Sequence, residues 1–186
     1  MKKILFLLIP AVTLTIRCYA QSNLPEPTAD SDVTPKYDSD WYISNFISFT
    51  EAQKIIQQPV YIKDSLWKYS NYNYGYLRYA FTYNAKSMDS ITKTRSSLFF
   101  SLEQYQQLAL AKKTFNDIKA LNQKSDKYTA LTEPGDEAFL VKDVLAHPFI
   151  VIRKGNRIYK LRMLYVTGQI ANDELMLLAK KIVAGH

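Results

Sequence analysis

The chain reads as an α+β protein: an antiparallel β-sheet with long amphipathic helices packed on one face, a sensor-domain-like sandwich. Three observations predict this. Stretches of alternating polarity follow one another between residues 60 and 101 with no helical pattern between them. Two longer stretches, 102–120 and 172–185, carry apolar residues at helical spacing. Gly, Asn and Pro then punctuate the last third at hairpin spacing. The strict strand–helix–strand alternation of a doubly wound sheet is missing.

Thr50 precedes Glu51-Ala52-Gln53, so the spacing predicts a capping box from Thr50 to Gln53. The helix it opens spans about 51–57, turns Ala52, Ile55 and Ile56 inward, and stops before Pro59. Val60 to Leu66 and Gly75 to Tyr83 read as strands, with Ser70-Asn71-Tyr72-Asn73 as a turn between them. The second strand places Tyr76, Arg78, Ala80 and Thr82 on one face and Leu77, Tyr79, Phe81 and Tyr83 on the other. After a polar loop at 84–93, Thr94 to Ser101 is the third strand.

The helix expected at 102–120 has Leu102, Tyr105, Leu108, Ala109, Phe115 and Ile118 as its stripe, with Ser101 and Gln104 as a second capping box. Tyr128 to Leu131 is a short strand, and Glu133-Pro134-Gly135-Asp136 a turn. Glu137 to Val141, Phe149 to Arg153 and Arg157 to Tyr165 are strands. The last two form a hairpin around Lys154-Gly155-Asn156, where Gly and Asn tolerate positive φ. A final helix is capped by Asn172, buries Leu175, Leu178, Ala179 and Ile182, and ends at Gly185.

Residues 1–20 read as a secretory signal. Lys2 and Lys3 precede an apolar run from Ile4 to Ile16, shorter than the roughly 20 residues of a membrane span, and Cys18-Tyr19-Ala20 offers a cleavage site. Gln21 after Ala20 resembles the cleavage context of exported proteins of the Bacteroidetes. Arg17 before Cys18 argues against lipid attachment. The expected location is the periplasm or the extracellular medium. Residues 21–40, with Pro25, Pro27, Pro35 and five acids, read as a flexible acidic leader, and 41–186 as one domain. The whole chain has 24 basic and 17 acidic residues among 186. Cleavage after Ala20 would leave 166 residues, 21 basic against 17 acidic, a charge of +4 and no cysteine. Such a body has neither disulfide nor thiolate chemistry and relies on its apolar core.

The sequence excludes several chemistries. Its two histidines, His147 before a proline and His186 at the end, lack zinc-hydrolase spacing. There is no Gly-x-Ser-x-Gly elbow, no phosphate loop and no dinucleotide glycine pattern. No catalytic residue, metal site or cofactor is expected. Two features point to recognition instead. Seven tyrosines fall between Tyr61 and Tyr83, and Tyr72, Tyr74 and Tyr76 are the candidates for exposed contact. Lys160 and Arg162 share one face of the last strand and stand as ligand-binding candidates with Arg78.

Gly135-Asp136-Glu137-Ala138, the Arg153-Lys154-Gly155-Asn156 hairpin and the helix from Asp173 to Val183 resemble extracytoplasmic modules of bacterial lipoproteins and the sensor regions of mycobacterial receptor kinases. The segment Thr50-Glu51-Ala52 with Pro59-Val60 is similar to their first helix, although Gln57-Gln58 replaces the usual Leu-Gly. The resemblance implies an α/β sandwich with a ligand groove. Read physically, the same residues are a structural motif: Gly135 and Gly155 turn the chain, Asp136 and Glu137 cap amides or pair with Arg153, and Asn156 completes the hairpin.

The expected function is therefore an exported, non-catalytic binding or sensor-like module for a protein, peptide or glycan of the cell envelope. A structural or accessory envelope protein is the alternative, and a small hydrolase a remote one. Export argues against a nucleic-acid partner, and contact with the membrane is expected only through the signal before its cleavage.

Overall fold

The computed structural model describes residues 46–71, 75–166 and 169–185, and the side chains of these apart from 64–71 and 169–170. The expected signal segment, the leader, Tyr72, Tyr74 and His186 lie outside the described residues. The elements are α1 (Phe49–Ile56), β1 (Val60–Asn71), β2 (Tyr76–Ala85), β3 (Ser97–Tyr105), α2 (Leu108–Asn122), β4 (Tyr128–Leu131), β5 (Glu137–Lys142), β6 (Pro148–Lys154), β7 (Arg157–Leu164) and α3 (Gln169–Gly185).

The strands form one antiparallel sheet in the order β1-β2-β3-β7-β6-β5-β4. Two meanders, β1–β3 and β4–β7, are joined where β7 pairs with β3, Phe100 opposite Leu161 and Ser101 opposite Lys160. The architecture is the expected α+β one with an antiparallel sheet.

Side-chain alternation assigns the two faces. Leu77, Tyr79, Phe81 and Tyr83 of β2, Leu98, Phe100 and Leu102 of β3, and Tyr159, Leu161 and Met163 of β7 are buried on one face. Helices α1 and α3 cover it. Phe46, just before α1, sets its ring 5.0 Å from Phe100, and Phe49 lies 5.2 Å from Tyr83. The ion pairs Lys54–Glu174 (2.7 Å) and Glu51–Lys181 (2.6 Å) tie the two helices together. Helix α2 lies on the opposite face, so the helices divide between the faces. It covers only the β4–β7 half there, where Ala111 and Phe115 pack with Tyr105, Phe139, Val141, Val151 and Ile158.

Several boundaries differ from expectation for local reasons. Ser48, not Thr50, caps α1: its hydroxyl accepts the Glu51 amide (3.2 Å), and the Glu51 carboxylate accepts the Ser48 amide (2.9 Å). The expected helix at 102–120 begins only at Leu108. Ser101 to Tyr105 continue β3, because Glu103 and Tyr105 keep the strand alternation and Tyr105 lies opposite Tyr76, ring centroids 5.3 Å apart. Ser101 and Gln104 therefore form no capping box. Gln107 precedes the helix without a side-chain cap, and Leu108 and Ala109 face water while Ala111 and Phe115 carry the buried stripe. Helix α3 starts at Gln169, so Asn172 lies inside it rather than capping it.

Tyr83 links α1's entry to the sheet: its buried hydroxyl donates to the Ile47 carbonyl at 2.8 Å. Burial, reinforced by the nearby Glu51 charge, pushes its ionisation up to about 12. Tyr83→Phe is expected to cost about 1 kcal/mol in urea titration, the usual net value of one hydrogen bond. Because the folded protein holds this proton more tightly, Tyr83's contribution is complete below pH 10 and is lost as pH rises towards 12. The variant should lack that alkaline component.

Candidate functional site

The half of the second face that α2 leaves uncovered forms a groove of about 620 Å³. Its floor comes from alternate positions of β2, β3 and β7: Thr82 lies opposite Phe99, and Phe99 opposite Arg162. Phe99, Phe149 and Leu164 supply apolar surface, and Lys63, Arg78, Arg95, Lys160 and Arg162 supply five cations. The side-chain period of two explains the convergence. Arg78, Lys160 and Arg162 occupy in-phase positions on strands that pair through β3, so all three project from one face.

Two carboxylates hold this charge in place. Glu103 is only 5% exposed. Its Oε1 lies 2.7 Å from Lys160 Nζ and 3.7 Å from Arg78 Nε, and its Oε2 accepts the Tyr105 hydroxyl at 2.9 Å. Burial, then the Glu103 charge, push the Tyr105 hydroxyl above its ordinary 10.0, so it remains a donor at neutral pH. At the rim, Asp143 Oδ2 lies 3.1 Å from both Arg162 Nη2 and His147 Nδ1. Burial alone would raise the Asp143 carboxyl, but hydrogen bonds from the His147 amide, Arg162 and the His147 ring outweigh it and hold it below 3.8. Among the described residues, five cations face these two carboxylates, so positive charge predominates in the groove. Arg95 donates Nη1 to the Ala85 and Lys86 carbonyls (3.1 and 2.5 Å), which fixes its position without neutralising it.

No family model, curated protein sequence or solved structure matches the chain. Among the described residues no group of three or more His, Cys, Asp or Glu is placed to hold a metal ion, and no helix is long and apolar enough to cross a membrane. The groove offers guanidinium and ammonium donors beside half-buried apolar surface, an arrangement that holds anions with apolar parts.

Of the sequence candidates, the structure brings together Arg78, Lys160 and Arg162. Tyr76 joins the cluster beneath α2 instead, beside Tyr105. Tyr79 and Tyr83 are core residues. Lys63, Arg95, Phe99 and Phe149 were not among the candidates. Phe99 was legible, since it shares its strand face with Ser97 and Ser101, but Arg95 sits near the start of its expected strand, where orientation is least defined, and Lys63 stands at a register shift between Ile62 and Asp64, where the alternation breaks.

The motif residues lie elsewhere, at the β5–β6–β7 edge. Arg153, 5% exposed, donates Nε to Glu137 (2.7 Å) and Nη1 to Asp136 (2.7 Å) and to the Gly155 carbonyl (3.0 Å). The Gly155 amide donates to Asp136 Oδ2 at 2.9 Å. That amide bond, opposed by burial and joined by Arg153, holds Asp136 below its ordinary 3.8. Asn156 donates its side-chain amide to the Tyr105 carbonyl and accepts the Tyr105 amide on its own carbonyl (2.9 Å), which fixes the end of β3 just ahead of α2. These contacts brace the hairpin.

Proposed function

We propose that the chain is an exported, non-catalytic binding module that takes an anionic ligand of the cell envelope across the open sheet face. The observation that supports this most strongly is the convergence of Lys63, Arg78, Arg95, Lys160 and Arg162 around Phe99 and Phe149. Isolated surface cations are ordinary; five around one apolar floor, with two carboxylates beside them among the described residues, form a coherent positive field. The signal-like start of the sequence supports an envelope location, and the resemblance to extracytoplasmic sensor modules supports a ligand-holding role.

The experiment is a titration with poly-L-glutamate over a range of salt concentrations. Binding should weaken steadily as salt rises, as screening requires. Arg162→Gln is the clean variant, because its side chain is 44% exposed. It should raise Kd about tenfold at low salt, the scale of one charge-assisted hydrogen bond, with the melting curve nearly unchanged. Salt-insensitive binding, or equal affinity in the variant, would exclude the reading.

A further inference from the structure

A second groove, of about 830 Å³, lies between the end of α1, the β2–β3 loop and the segments that flank β6 and follow β7. Its chemistry is the opposite of the basic groove's. Among the described residues, no lysine or arginine lines it. The hydroxyls of Ser87, Thr92, Thr94 and Ser96 and the amides of Gln57 and Gln58 supply polar groups that both donate and accept. These groups are pre-arranged: Ser87 donates to the Gln58 side-chain Oε1 (2.8 Å), the Thr92 and Thr94 hydroxyls lie 2.7 Å apart, and Ser96 donates to the Tyr165 main-chain carbonyl (2.6 Å).

Among the described residues the lining includes one carboxylate, Asp89. Its Oδ1 accepts from the Ile91 amide, the Thr92 amide and the Thr92 hydroxyl. The Thr92 amide leads the bonds that hold its acidity below 3.8, so it stays negative at neutral pH and opposes an anionic occupant.

Tyr165 supplies a face. It is 45% exposed on the groove wall, and the His147 ring meets it edge-on at a centroid distance of 5.0 Å. Its backbone sits at φ 56°, which an aromatic residue adopts at a cost of about 1–2 kcal/mol. Three other non-glycine residues among those described have positive φ: Gln57, Lys93 and Ala146. Gln57 lines this groove, and Lys93 and Ala146 each stand between or beside residues that do. Gln57 ends α1 in a way common for helices. Lys93, Ala146 and Tyr165 are held in left-handed turns by loops that converge on the same cavity. Strained residues gathered at one place mark a pre-shaped site.

We infer that this groove binds a neutral carbohydrate, with Tyr165 as the stacking platform and the Ser, Thr and Gln side chains as hydroxyl partners. A sugar matches the lining on each count. It offers an apolar C–H face for the ring and hydroxyls that exchange donor and acceptor roles, and it needs no countercharge. The volume falls within the range of about 300–1,000 Å³ found for small-ligand pockets. The inference does not depend on the anion groove.

The test uses the full chain with maltohexaose, cellohexaose, laminarihexaose, mannohexaose and chitohexaose, followed by calorimetry and by amide chemical shifts. At least one should bind, with shifts centred on Ser87, Thr94 and Tyr165. Tyr165→Ala should raise its Kd at least about tenfold and Thr94→Val about threefold, corresponding to loss of a stacked ring and of one hydrogen bond. If Tyr165→Ala alters the melting curve, Thr94→Val, half-buried in the groove wall, decides alone. The inference is overturned if none of the five sugars shifts these amides at about 10 mM, a weak-binding limit, or if both variants bind as the parent does.

Discussion

Gly135→Ala should lower stability by about 3 kcal/mol, from a backbone penalty of about 1–2 kcal/mol plus a steric clash of similar size. Gly135 sits at φ 81°, and a Cβ there would stand 2.6 Å from the Arg153 carbonyl oxygen and 2.7 Å from Ile152 Cγ2. The first contact is with strand β6 itself, so no side-chain rotation relieves it. The Asp136 amide donates to that same Arg153 carbonyl at 2.8 Å, so a shift there also strains the Arg153 pairs. Gly155→Ala is the internal control. Its φ is 57°, but nothing lies within 4 Å of the added Cβ, so the expected loss is only about 1 kcal/mol. Urea midpoints at constant slope separate the two. Equal losses would mean that the close approach of Gly135 to β6 is wrong.

Glu103→Ala should produce two effects of opposite sign. Stability should fall by about 2–3 kcal/mol, since removing one partner of a buried ion pair leaves the others unmatched. Lys160 and Arg78 retain some solvent contact, at 17% and 29% exposure, which keeps the loss below that of a fully enclosed pair. The Tyr105 hydroxyl also loses its acceptor. Affinity for poly-L-glutamate should rise about fivefold at low salt, because one negative charge leaves the floor of the positive groove. A purely structural ion cluster would show the first effect without the second. Measuring both on the same preparation separates a scaffold from a binding site.

The sheet was legible because its strands alternate cleanly. Tyr76-Arg78-Thr82 against Leu77-Phe81-Tyr83 fixed both faces of β2, and Gly155-Asn156 fixed the β6–β7 hairpin. The junction of β3 and α2 was not legible, because Leu102, Tyr105 and Leu108 fit a helical stripe as well as a strand. What decides it is the pairing of Tyr105 with Tyr76, almost thirty residues away in the chain. The division of helices between the faces is likewise a tertiary outcome, since either face of β5–β7 carries apolar residues: Phe139, Val141 and Val151 on one, Ile150, Ile152 and Leu161 on the other. For the basic groove, in-phase spacing already grouped Lys160 with Arg162. Arg95 and Lys63 join only through the pairing of β1, β2 and β3, which no local pattern encodes.

The most direct measurement of the central claim is residue-level mapping of poly-L-glutamate on the 15N-labelled protein at low salt. Amide shifts should concentrate at Thr82, Asn84, Ser97, Phe99 and Arg162, together with movement of the Arg78 and Arg95 side-chain signals. Shifts centred on the α1–α3 face, or no shifts at all, would contradict it.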